Sequence, residues 1–266
     1  MNIIKLIKFN FITNLKYVLT WTSIVFGIMF LYMILFPSVE DMASIKLESM
    51  PKELLQFVGM EELSDMGNFV TYFESIFYLI LVAISIFAAT FTARIISKEE
   101  SSKTIEFLYS LKISRLEIYI SKVLTGMIAT MMLCIAVFVA TIICGFAVGG
   151  ETFVLFDVLQ ITKFSSLIPF VFFALSAMLA GISGKISAGS LSSMGVMVAY
   201  MVGYLGTLLG EKAEWLRYIT PFEMLKPQVV LDMESETFVA LFVFYLITIL
   251  LLVVGGIVYK KRDFNI

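Results

Sequence analysis

Histidine is absent from all 266 residues. That removes the commonest general base and the commonest transition-metal ligand. Cysteine occurs only twice, as Cys134 and Cys144 in one apolar run. Ten helical residues would separate them by about 15 Å. That is too far for a disulfide within the helix, so both read as small buried hydrophobes. Charge is also sparse: 15% of the residues are charged, against about 25% in a soluble domain. No strongly basic domain or tail is present, which argues against a nucleic-acid partner. Ionisable residues are scarce inside the apolar runs, where an ion- or proton-coupled transporter would place them. Glu74, near the outer end of one run, reads as an interfacial cap.

Nucleotide and protease signatures fail in detail. A phosphate-binding loop needs Gly-x-x-x-x-Gly-Lys-Ser/Thr. The only Gly-Lys pair, Gly184-Lys185, is followed by Ile186, and Leu179 stands where the first glycine belongs. Gly181-Ile-Ser-Gly184 has the form Gly-x-Ser-Gly of intramembrane serine proteases, but that serine needs a histidine base. Both patterns reduce to a tight turn. The chain therefore reads as having no catalytic, cofactor or metal residues of its own.

Apolar sequence is what remains, and 60% of the chain is hydrophobic. One soluble core cannot bury that much, so much of it must face lipid. Six segments approach the roughly 20 residues needed to cross a bilayer, at about 18–36, 75–93, 123–148, 165–182, 191–209 and 238–259. Residues 1–17 carry Lys5, Lys8 and Lys16 among apolar residues at helical spacing, with no cleavage site. They read as an amphipathic interfacial helix, or as a basic flank that orients the first span. With both termini cytoplasmic, only Lys46, Lys52, Lys163, Lys212, Arg217 and Lys226 of the 19 basic residues lie outside. Positive charge then concentrates inside, as the orientation rule requires. The first outer loop is acidic, with Glu40, Asp41, Glu48, Glu53, Glu61, Glu62 and Asp65. It forms either a small helical cap or a solvated loop. No repeat divides the chain, which reads as one transmembrane domain.

The inner loop between the second and third spans is the most informative stretch. Ile105, Leu108 and Leu111 share a helical face, with Phe107 beside it. Ser114 and Glu117 make a capping-box pattern that opens a new helix. A short apolar-faced helix there must bury its face, in headgroups or in a groove on a cytoplasmic partner. After the fifth span, Thr220 reads as an N-cap, Pro221 as N1 and Glu223 as N3 of a helix that meets Pro227. In the fifth span Gly195, Ala199 and Gly203 recur every four residues, followed by Gly206 and Gly210. Such spacing lets helices approach closely in lipid, within one subunit or between two.

The inner loop resembles that of ABC type-2 transporter permeases. Glu99-Glu100, Thr104-Ile105-Glu106-Phe107-Leu108, Ser114-Arg115 and Lys122 follow in the family's order. Lys103 stands where the family often has glycine, and Lys112-Ile113 where it often has proline. Tyr218-Ile-Thr-Pro-Phe222 is similar to a stretch between the family's last two spans. The resemblance implies an all-α integral membrane protein: six spans, an interfacial N-terminal helix and a cytoplasmic coupling helix. Short re-entrant extracellular helices between spans five and six complete that layout. It implies an ATPase-coupling interface at Glu99, Glu100, Thr104, Ile105, Glu106, Phe107, Leu108, Leu111 and Arg115. It also implies partner ABC ATPases, which hold the ATP and Mg, and a second permease subunit packed through the fifth span. The function implied is export of a hydrophobic or amphipathic substrate across a prokaryotic plasma membrane. A membrane scaffold or sensor anchoring cytoplasmic partners would account for the inner helix equally well.

Overall fold

The computed structural model describes residues 3–49, 67–102, 113–209 and 213–262, and among these there is no strand. The helices are α1 (Ile3–Ile34), α2 (Phe36–Ser49), α3 (Phe69–Ser101), α4 (Arg115–Val148), α5 (Leu155–Ser165) and α6 (Leu167–Ser183). They continue as α7 (Ser187–Leu209), α8 (Pro221–Met224), α9 (Pro227–Asp232) and α10 (Ser235–Lys261). Short 3₁₀ turns lie at Gly150–Thr152 and Glu214–Ile219. Among the described residues six helical segments are long and apolar enough to cross a membrane. Five of the six segments expected from the sequence fall within one of them; the fifth, 191–209, begins inside Ser187–Gly206 and runs past it, still within α7.

The helices overrun the spans read from hydropathy. α4 has 34 residues, about 51 Å at 1.5 Å per residue, against about 30 Å of hydrocarbon. Its first turns are therefore polar and begin at the predicted Ser114. There the Ser114 Oγ accepts from the Glu117 amide, and the Glu117 carboxylate accepts from the Ser114 amide. α1 runs unbroken through the basic N-terminal stretch into the first span. Proline explains two of the interruptions. Pro37 has no amide to offer the Met33 carbonyl, and Pro169 none for Ser165, so α1 gives way to α2 and α5 to α6 near those carbonyls.

α3 is the central element. It packs on α6, α7 and α4, while α1 packs on α4 and α10 on α6. Phe69, Phe73, Phe77, Phe87 and Phe91 of α3 are fully buried. The Phe87 and Phe91 rings stack at 5.1 Å, and Tyr17 of α1 stacks on both. The N-terminal end of α3 is capped by Asn68, whose side chain accepts from the Val70 and Thr71 amides. The cap is therefore not Glu74, which is buried at 4% exposure in the second turn. Cys134 and Cys144 are free and buried. The predicted tight turn between spans four and five is present. Gly184 ends α6 at φ +65° and returns its amide to the Ala180 carbonyl, a left-handed conformation that glycine adopts without a Cβ clash. Residues 50–66 of the acidic loop, read as a helical cap or a solvated loop, lie outside the described residues.

Candidate functional site

The ends of four helices meet where the chain enters and leaves residues 103–112. Glu99 and Glu100 occupy the last turn of α3. Adjacent helical residues point about 100° apart, so the two carboxylates reach different neighbours. Glu99 pairs with Lys122 of α4. Glu100 pairs with Arg262, one residue beyond α10.

Lys122 is only 2% exposed, and its ammonium also donates to the Ile96 carbonyl at 3.0 Å. A buried cation needs both a counter-charge and hydrogen bonds, and these two acceptors supply them. Arg262 is the hub of the second tie. Its Nη1 donates to the Gly181 carbonyl at 3.1 Å, one of the acceptors that the end of α6 leaves unsatisfied. Its own carbonyl accepts from Arg115 Nη1 at 2.8 Å. Behind this layer the Tyr119 hydroxyl donates to the Leu252 carbonyl, and its ring lies 5.4 Å from that of Tyr259. The approach is possible because α10 presents Gly255 and Gly256, where a Cβ would meet the Tyr119 ring or hydroxyl. Glu99, Glu100 and Arg115 are thus brought together in one clasp joining α3, α4, α6 and α10. Thr104, Ile105, Glu106, Phe107, Leu108 and Leu111 lie outside the described residues.

The segment between α7 and α9 follows the predicted pattern locally. Thr220 is extended, its Oγ1 accepts from the Glu223 amide at 3.4 Å, and Pro221 opens α8. The Glu223 side chain turns inward and is only 5% exposed. It accepts from the Tyr78 hydroxyl at 3.1 Å and from Lys226 Nζ at 3.3 Å, with Arg217 Nε at 3.8 Å. Phe222 is fully buried among the rings of Tyr78, Phe172 and Tyr200.

The small residues of α7 serve this arrangement. A Cβ at Gly203 would lie 2.8 Å from Glu223 Cγ and 2.9 Å from Thr220 Oγ1. One at Gly206 would meet Leu216 and Arg217 at 3.0–3.1 Å. Gly203 and Gly206 therefore seat a segment of their own chain. Gly195 has only Leu175, at 3.9 Å, and Ala199 is half-buried. Gly210 lies outside the described residues.

Sequence reasoning missed two parts of this geometry. Arg262 reads as one more inner anchor, because nothing local links it to Glu100, 162 positions away. α5 went unread, although Val158, Ile161, Thr162 and Ser165 are its buried residues at helical spacing. Its 11 residues are too few to register as a span. Among the described residues no group of His, Cys, Asp or Glu could hold a metal ion.

Residues 11–260 match the family described as multidrug efflux system permease Rv1217c, C-terminal domain. No curated protein matches the chain.

Proposed function

Because the chain belongs to the multidrug efflux system permease Rv1217c, C-terminal domain family, we propose that it is the membrane permease subunit of an ATP-driven ABC exporter. It moves a hydrophobic or amphipathic substrate outward by alternating access. The substrate class takes in peptides, antibiotics, lipids and ions. ATP and Mg are bound and hydrolysed on separate cytoplasmic ATPase subunits, and two permeases pair in the membrane. The membrane is a prokaryotic plasma membrane and both termini are cytoplasmic. The basic N-terminal turns of α1 lie at its inner surface, and α8 and α9 dip into its outer leaflet.

The clasp at the two ends of residues 103–112 carries this reading. In the proposed mechanism the Thr104–Leu111 helix lays Ile105, Phe107, Leu108 and Leu111 into a groove on the ATPase. Closure of the ATPases pulls on that helix. A loop with slack at its base would absorb the pull. Here Glu99–Lys122 and Glu100–Arg262 bind its entry to α4 and α10, and Arg115 binds its exit to Arg262. The pull therefore moves α3, α4 and α10 together. Glu99, Glu100 and Arg115 act one layer inside the docking surface.

The test is coexpression with the candidate ATPase, pull-down from detergent and an ATPase assay. Wild type should give a stable complex. A Glu106→Ala, Phe107→Ala double variant should bind on the order of 30-fold more weakly, as when a contact hot spot is lost. No complex, or a variant equal to wild type, removes the coupling assignment and favours a membrane scaffold.

A further inference from the structure

We propose that the elbow between α5 and α6 holds one anionic phospholipid, its headgroup at Lys163 and its two acyl chains in separate grooves. Two cavities of about 430 and 420 Å³ adjoin at this elbow. Both are lined by Lys163, Ser166 and Phe170. The first runs along α4 past Met131, Ile135 and Phe138. The second runs along α10 past Leu241, Phe242 and Tyr245. The walls are almost wholly apolar, and Lys163 is the one cation among the lining residues of either groove.

The openings decide the kind of occupant. Met131, Ile135, Phe242 and Tyr245 are exposed on helices long enough to cross the membrane. The grooves therefore open sideways, toward lipid. Lys163 forms no salt bridge among the described residues, and its ammonium rests 4.8 Å above the Phe164 ring. A lysine in a membrane-crossing segment is costly without a counter-charge or a route to the headgroups. A soluble anion would leave the apolar walls unused, and a neutral lipid would leave the cation unpaired. Two apolar grooves meeting at one cation fit a molecule with one negative head and two tails. In the orientation proposed above this is a lipid of the outer leaflet. The site itself depends neither on that orientation nor on the exporter reading.

The experiment is native mass spectrometry of the purified protein exchanged into equal phosphatidylglycerol and phosphatidylcholine. Wild type should retain one phosphatidylglycerol with about fivefold preference, the effect of one basic residue beside an anionic lipid. Lys163→Gln should abolish the preference. Ile135→Trp, which fills one groove from an exposed position, should lower occupancy by both lipids. Lys163 and Ile135 are surface side chains, so both variants should keep the wild-type melting temperature. No preference in wild type, or one that survives Lys163→Gln, overturns the proposal. Occupancy unchanged by Ile135→Trp reduces the signal to ordinary surrounding lipid and overturns it too. The readout is lipid mass, so its failure leaves the ATPase-coupling test untouched.

Discussion

Lys122 shows how much one residue's neighbours matter. Its ammonium is buried against the Glu99 carboxylate and the Ile96 carbonyl. Replacing both charges with apolar groups of similar volume is often nearly neutral, whereas removing one partner strands the other. Lys122→Ala should therefore lower stability by about 3 kcal/mol. A Glu99→Gln, Lys122→Met double variant should recover most of that loss. Thermal unfolding in detergent checks both, and equal losses in the two variants would mean that the Glu99–Lys122 ion pair itself stabilises this end, beyond what apolar packing of the same volume can replace. Glu100 and Arg262 differ, since both are partly exposed. Loss of that pair should cost about 1 kcal/mol or less and weigh more on ATPase coupling than on stability. The acidic pair was legible in the sequence as a motif. Its partners were not, because tertiary pairing leaves no mark on local spacing.

At the scale of elements, features set by neighbours in the chain were the readable ones. The capping box of Ser114 and Glu117, the Thr220 cap with Pro221, and the Gly184 turn all depend on residues a few positions apart. Hydropathy located six spans but not their ends, because the helices continue as polar turns beyond the hydrocarbon. The stripe on α7 was legible as a surface for close approach, yet its periodicity does not say what approaches. The structure divides it by position along the helix. A Cβ at Gly203 would press on Thr220 and Glu223, whereas one at Gly195 would make only an ordinary contact with Leu175. Gly203→Ala should cost about 1–3 kcal/mol, since two atoms of a packed segment must give way. Gly195→Ala should change the stability of the single chain by less than about 0.5 kcal/mol. If α7 also forms the contact between permeases, Gly195→Ala should weaken dimerisation instead. Sedimentation of both variants separates these effects, and a Gly203→Ala chain as stable as wild type would contradict the close approach.

At the scale of the whole molecule, the two polar clusters lie at opposite ends of α3. Tyr78 meets Glu223 near one end and Glu99 meets Lys122 near the other. Tyr78 and Glu99 stand 21 positions apart, about 31 Å along a helix, close to the thickness of bilayer hydrocarbon. Leu81, Ile84, Phe87, Phe91 and Ile95, all buried, fill that interval with apolar packing. A rigid rod tied at both membrane interfaces can carry a pull from one face to the other, but only one orientation puts the clasp where cytoplasmic ATPases reach it. Surface labelling tests that orientation. Both native cysteines are buried, so an added exposed cysteine should dominate the signal. Glu151 follows α4 and Lys185 follows α6, and both are exposed. In intact cells a membrane-impermeant maleimide should label Glu151→Cys, and Lys185→Cys only after permeabilisation. The reverse pattern would place Glu99, Glu100, Lys122 and Arg262 outside. Coupling to a cytoplasmic ATPase through residues 103–112 would then be impossible, whatever the family.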